Sequence, residues 1–184
     1  MGLKFHGLFD LLTFESSVLI LKELKYRIIV KSKSVIMLAK DYWTQKIHTE
    51  IPATKLLNIQ IDSLDPDAIS VSAPYELNCN GHQTGFAGSI YTLGITTGWT
   101  LISNRLKEEG IEATVVAGQA DIKYKEPLRG DLIAHTSFPE SHPNEKWQIK
   151  WKAGRSSRQR LRIGIGNGNI EAAEINATFY IKKL

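Results

Sequence analysis

The sequence predicts an α+β domain in which one long, buried helix is wrapped by a curved antiparallel sheet. Three observations predict it. No Asp, Glu, Lys or Arg occurs between Glu76 and Arg105. From Phe86 to Ile102, apolar residues fall on nearly every side of a helical projection, and a helix that is apolar all round must be covered all round. On either side of this stretch, apolar and polar residues alternate over short runs separated by turn formers, as in half-buried strands joined by tight connections.

The elements follow in order. Residues 1–40 form a block of short apolar runs mixed with lysine and serine. They read as an appendage, as a helix followed by a strand, or as translated sequence upstream of the true start. The domain itself is assigned to residues 41–184. A short helix is expected over 41–55, with Pro52 near its end. Leu57, Ile59 and Ile61 alternate, as do Ile69, Val71 and Ala73, with Asp62 to Asp67 as the turn between two strands. The long helix closes with Lys107 in its last turn and Gly110 beyond it. About four strands follow. Thr114–Lys123 and Leu132–Phe138 are β-compatible runs, and Trp147, Ile149 and Trp151 alternate. Leu161, Ile163 and Ile165 alternate before Gly166-Asn167-Gly168-Asn169, and the series Ala173 to Ile181 alternates after it, which makes the last pair a hairpin. Gly164, Gly166 and Gly168 belong to that turn. Their spacing is wrong for a dinucleotide loop, and a strand follows instead of a helix.

Bulk composition narrows the function classes. With 184 residues and 42% apolar composition, the chain suffices for one domain with a proper core. The net charge of +4 is mildly basic, which suits an anionic partner but lacks the clustered basicity of a nucleic-acid binder. No segment reaches the roughly 18 apolar residues needed to span a bilayer, so no membrane role is expected. The N-terminal apolar run is interrupted by Asp10, Glu15 and Glu23 and lacks the small-residue cleavage site of a signal peptide. Cys79 is the one cysteine, which excludes an internal disulfide and fits a reducing cytoplasm. His135, His142 and Cys79 lack metal-ligand spacing, and no metal is expected.

The chemistry concentrates between Asn78 and Tyr91. A polar loop, Asn78-Cys79-Asn80-Gly81-His82-Gln83-Thr84-Gly85, feeds directly into the start of the apolar helix at Phe86-Ala87-Gly88. Backbone N–H groups at such an end are unpaired, and the helix dipole favours negative charge there. The arrangement can polarise a thioester carbonyl and stabilise the oxyanion formed when water attacks. Thr84 is a natural cap. His82 either orients or deprotonates water, since its ordinary pKa lies near 6.5, or is held in the loop for structural reasons. Asn78 and Asn80 either bind the thioester and water or occupy turn positions. Asp121, in an otherwise core-like strand, reads as a second candidate base acting across an interface between two copies of the chain, or as a strand-edge carboxylate paired with lysine. Arg155, Arg158, Arg160 and Arg162 form a basic stripe, either a solvated face or a holder of phosphates or of a carrier protein's acidic surface.

The series Asn78-x-Asn80-x-His82-x-Thr84-x-Phe86-Ala87-Gly88-Ser89-Ile90-Tyr91, followed by Gly98-Trp99 and by Ala120-Asp121-Ile122-Lys123-Tyr124 with Pro127, resembles the hotdog-fold thioesterase-like family found as the C-terminal domain of YiiD-type proteins. The resemblance covers roughly 41–184. It implies a hotdog fold and a homodimer, or a higher assembly, whose sheets join. It also implies acyl-thioester sites at the dimer interface beside the helix start. The substrate would then be an acyl-CoA or an acyl carrier protein thioester in lipid metabolism, with no further cofactor. His82 and Asp121 would be catalytic, and Asn78, Asn80, Thr84, Gly85, Phe86, Ala87 and Gly88 would bind substrate. Two departures from the wider hotdog group stand out. Phe86-Ala87-Gly88 replaces the histidine–glycine–glycine that commonly starts the helix, and no carboxylate lies between Glu76 and Glu108. The missing carboxylate motivates an alternative, a module that binds acyl thioesters without hydrolysing them.

Overall fold

The computed structural model describes residues 39–139 and 156–183. The expectations for residues 1–38, for the Trp147–Trp151 alternation, and for His142 and Arg155 lie outside the described residues.

Helix α1 covers 39–50 and helix α2 covers Pro52–Leu56. The single helix expected over 41–55 is thus two. The residue before a proline is pushed out of the helical region, and Ile51 stands at φ −129° and ψ 78°. Pro52 begins the second helix, where its missing N–H costs nothing. Strands β1 (Gln60–Leu64) and β2 (Ala68–Ala73) pair antiparallel. Asp62, Ser63 and Leu64, expected in the turn, belong to β1. Leu64 is buried, the register shifts between Ile61 and Ser63, and the Asp65 N–H donates to the Ala68 carbonyl at 2.9 Å. A short helix α3 (Tyr75–Asn78) leads to the polar loop, and α4 runs from Ala87 to Glu108. Among the described residues, strands β3 (Ala113–Tyr124), β4 (Leu132–Ser137), β5 (Ser157–Gly166) and β6 (Glu171–Lys183) bring the sheet to six strands in the order β1-β2-β4-β5-β6-β3. All pairings are antiparallel.

One face of this sheet packs on α4. Ile163, Ile165, Ile175 and Phe179 are wholly buried against Leu93, Leu101 and Ile102 of the helix. Close approach depends on two glycines one turn apart. A Cβ on Gly94 would lie 2.6 Å from the Ile175 side chain, and one on Gly98 would lie 2.8 Å from the Phe179 ring. Three of the helix hydroxyls need no outside partner. Thr92, Thr97 and Thr100 donate to the carbonyls of Gly88, Leu93 and Thr96 at 2.8 Å. The wholly apolar helix expected from the sequence is not covered on every side. Phe86 is 53% exposed and Tyr91 is 38% exposed, and Ile95 and Trp99 are only partly buried. This open side faces β3, the edge strand, whose residues from Val116 to Gln119 are all exposed. The long helix against a curved antiparallel sheet is the hotdog fold. Among the described residues, no helix is long and apolar enough to cross a membrane.

Candidate active site

The loop before α4 is a small closed hairpin. Cys79 and Gly85 form an antiparallel bridge. The Asn80 side-chain oxygen accepts from the His82 N–H at 2.9 Å, the Thr84 N–H at 3.3 Å and the Thr84 hydroxyl at 3.2 Å. Asn80 is therefore the organiser of the turn. Thr84 is tied to it and does not cap the helix, as the sequence suggested. The N-cap is Phe86, and no side chain caps α4. Gly85 is buried, and its N–H donates to the Leu128 carbonyl at 2.8 Å, which docks the loop on the strand β3–β4 connection. His82 stands exposed at the loop tip, beside Gln83 in the left-handed region at φ +57°.

Asn78 faces inward. It is 1% exposed, and its side-chain NH2 donates to the carbonyls of Leu57 at 3.0 Å and Pro74 at 2.8 Å. Its backbone carbonyl accepts from the Phe86 N–H at 2.7 Å, which fixes where α4 begins. Its side-chain oxygen is buried without a hydrogen-bond partner, an uncommon state for a buried acceptor.

The helix start is thus positioned by the backbone and left open. Ile90 is the first residue whose N–H reaches back, to Phe86 at 3.0 Å. The N–H groups of Ala87, Gly88 and Ser89 have no side-chain cap, and the dipole places partial positive charge there. The exposed Phe86 ring lies back over Gly88, where a Cβ would come 2.5 Å from it. Tyr124, at the far end of β3, donates its hydroxyl to the Ala87 carbonyl at 3.0 Å. Partial burial, and the Tyr91 phenol beside it, raise the Tyr124 pKa above its ordinary value. In the sequence alone Tyr124 closes the Ala120–Tyr124 motif and carries no role. The signal was its parity with Ala120 and Ile122, which face α4.

Asp121 lies on the other face. Ile122 is opposite buried Ile175, whereas Asp121 is opposite exposed Asn176, which is opposite Arg162 on β5. Successive strand residues point to opposite sides of a sheet. The sheet therefore stands between Asp121 and α4, and the structure does not bring Asp121 and His82 together within one protomer. Asp121 accepts from the Gln119 side chain at 3.2 Å and lines a shallow pocket of about 290 Å³ with Arg160, Arg162 and Thr178. The expected basic stripe is real on β5, where Arg158, Arg160 and Arg162 share the outer face. Arg162 is taken up by Glu171 and Glu174, at 2.6 and 2.9 Å, and Lys125 binds the same two carboxylates at 2.6 and 2.9 Å. These contacts lower the Glu174 pKa to about 2, with the Lys125 hydrogen bond as the largest cause. Among the described residues, no group of three or more His, Cys, Asp or Glu could hold a metal ion.

Residues 40–183 match the YiiD_C family, described as "Putative thioesterase (yiiD_Cterm)". The chain belongs to the YiiD_C family. Membership makes it a thioesterase-type hydrolase. Solved structures support the YiiD_C fold. A Shewanella oneidensis protein, likewise called a putative thioesterase, is 24% identical with a TM-score of 0.73, over 80% of this chain and 99% of that one. A Chlorobaculum tepidum protein of unknown function is 23% identical with a TM-score of 0.73, over 79% and 94%. A Haemophilus influenzae thioesterase is 20% identical with a TM-score of 0.57, over 72% and 83%. As in the sequence, the YiiD_C helix here carries no carboxylate until Glu108.

Proposed function

We propose that this YiiD_C domain hydrolyses acyl thioesters of coenzyme A or of an acyl carrier protein, in the lipid metabolism of the cytoplasm. The observation that carries the reading is the uncapped start of α4. The thioester carbonyl oxygen sits against the N–H groups of Ala87, Gly88 and Ser89, which receive the negative charge as water attacks. One such donor is typically worth about 10²–10³ in rate. His82 accepts the water proton as the new C–O bond forms and returns it to the departing thiolate as the C–S bond breaks. The buried Asn78 oxygen supplies an acceptor at the base of the loop. The inward parity of Tyr124 and the outward parity of Asp121 favour His82 over Asp121 as the base.

The same reading includes a homodimer. β3 is a twelve-residue edge strand, uncharged from Ala113 to Ala120, and a long, uncharged edge is a template for pairing with another copy. Two β3 strands paired about a two-fold axis join the sheets and cover the open side of α4.

The decisive experiment is a panel of acyl-CoA and acyl-carrier substrates, with His82→Ala and a heat-denatured control. Turnover that falls about 10²–10⁴-fold in the variant supports general-base hydrolysis. A panel on which the native protein does not exceed the denatured control overturns it. The missing helix carboxylate favours one second reading, a module that holds acyl thioesters without hydrolysis, and tight binding with no turnover selects it.

A further inference from the structure

Ser89 is the third residue of α4 and is only 3% exposed. We infer that its hydroxyl is a further catalytic donor, which hydrogen-bonds the thioester carbonyl oxygen beside the open N–H groups and tightens that bond as water attacks. The inference rests on the hydrolase reading above.

A hydroxyl inside a helix commonly donates to the carbonyl four residues back, as Thr92, Thr97 and Thr100 do. Four residues back from Ser89 stands Gly85, which precedes the helix and is bridged to Cys79 in the closed loop. The Ser89 side chain makes no hydrogen bond to any described residue. Nor is its oxygen sealed off. Among the described residues, the Asn78 side-chain oxygen is the one buried side-chain atom both closed to solvent and unpartnered. Buried polar groups without partners are uncommon, yet two stand at this helix start. Asn78, 1% exposed, reaches it through its backbone carbonyl, which accepts from the Phe86 N–H at 2.7 Å. An unpaired hydroxyl and an unpaired acceptor at one end of a helix suit a polar ligand.

Helix geometry aims the hydroxyl. The Cα–Cβ bonds of a helix tilt toward its N-terminus, so the Ser89 side chain leans toward the end where the N–H groups of Ala87, Gly88 and Ser89 are uncapped. A hydroxyl there bonds weakly to a neutral carbonyl and about twice as strongly to the oxyanion that replaces it. An interaction that strengthens in the transition state raises kcat. The serine is a donor and not a nucleophile. No base hydrogen-bonds its oxygen among the described residues, and a serine without one is a weak nucleophile. Its proton therefore stays on Ser89 throughout. Water supplies the new C–O bond, the thiolate leaves with the electron pair of the C–S bond, and the oxyanion re-forms the carbonyl.

The test is the kinetics of Ser89→Ala and Ser89→Thr on the acyl-CoA that the native protein turns over fastest, with urea unfolding of each variant. Loss of the hydroxyl should lower kcat by about 10²–10³-fold, the scale of one oxyanion donor, and leave KM nearly unchanged. Ser89→Thr restores a hydroxyl and should recover most of that loss. Removing an unpaired hydroxyl should not lower the urea midpoint of Ser89→Ala. A folded alanine variant with native kcat overturns the inference, and so does one whose midpoint falls with its activity, since the hydroxyl then serves the fold. An acyl group found on Ser89 by mass spectrometry overturns it as well. The hydrolase reading fails separately, when the native protein does not exceed the denatured control. The infrared carbonyl stretch of a ketone analogue of hexanoyl-CoA, with CH2 in place of the sulfur, then decides the donor without turnover. Hydrogen bonding lowers that frequency in the native protein, and Ser89→Ala should return part of the shift. Equal frequencies in the two proteins overturn the inference.

Discussion

At the scale of single residues, the loop before α4 commits some of its polar side chains to its own turn and leaves others open. Asn80 and Thr84 hold the turn together, and His82 is left exposed at its tip. Asp121→Ala is accordingly expected to leave kcat within about twofold of native, because the sheet stands between that carboxylate and the helix start. A pH–rate profile of both single variants checks this, and a large loss in Asp121→Ala would reassign the base. Tyr124→Phe removes the hydroxyl bond to Ala87 and is expected to cost about 0.5–1.5 kcal/mol, towards the low end because the ring is half exposed; urea unfolding measures it. The Glu171–Glu174 cluster predicts an acid response. Glu174 is lowered to about 2 from its ordinary 4.5. A depressed carboxylate contributes stability above its unfolded pKa and loses that contribution as pH falls through the folded value. The denaturation midpoint should therefore drop between pH 4.5 and 2 by more in the native protein than in Glu174→Gln, and less so in high salt, since the cluster is at the surface.

At the scale of elements, the placement of α4 depends on what its side chains leave out. Gly94 and Gly98 bring the helix onto Ile175 and Phe179. Gly98→Ala gains helix propensity of about 1 kcal/mol, but the added methyl meets a wholly buried ring, and overpacking costs about 1–3 kcal/mol. The expected sum is a modest destabilisation of about 1 kcal/mol, read as a lower urea midpoint with an unchanged slope. A midpoint that rises would mean that the Phe179 ring has room to shift. The same helix was legible in the sequence from its uncharged length and its Lys107–Gly110 ending. The break at Ile51 was less so, because Pro52 marks a helix start as readily as an end.

At the scale of the whole molecule, the sheet order leaves β3 at an edge with its middle exposed. Lysines at Val116 and Gln119 place like charges close to the two-fold axis of the proposed pairing, where they repel. Val116→Lys with Gln119→Lys is expected to shift sedimentation from dimer to monomer at micromolar protein. A double variant that remains a dimer would move the interface elsewhere.

Periodicity was enough to read most of this molecule's elements, because apolar spacing reports which face a segment buries, and the unlike chemistry of loop and helix from Asn78 to Tyr91 marked where to look for a site. Spacing along a chain says nothing about which residues meet across it. Thr84 looked like a cap until Asn80 was seen to hold it, and only the neighbours of Asp121 across β6 set the face of the sheet on which it lies. Tyr124 joined the helix start only because antiparallel pairing carries the end of β3 back to Ala87. Gly94 and Gly98 meet Ile175 and Phe179 from the far end of the sequence, and long-range packing alone brings them together.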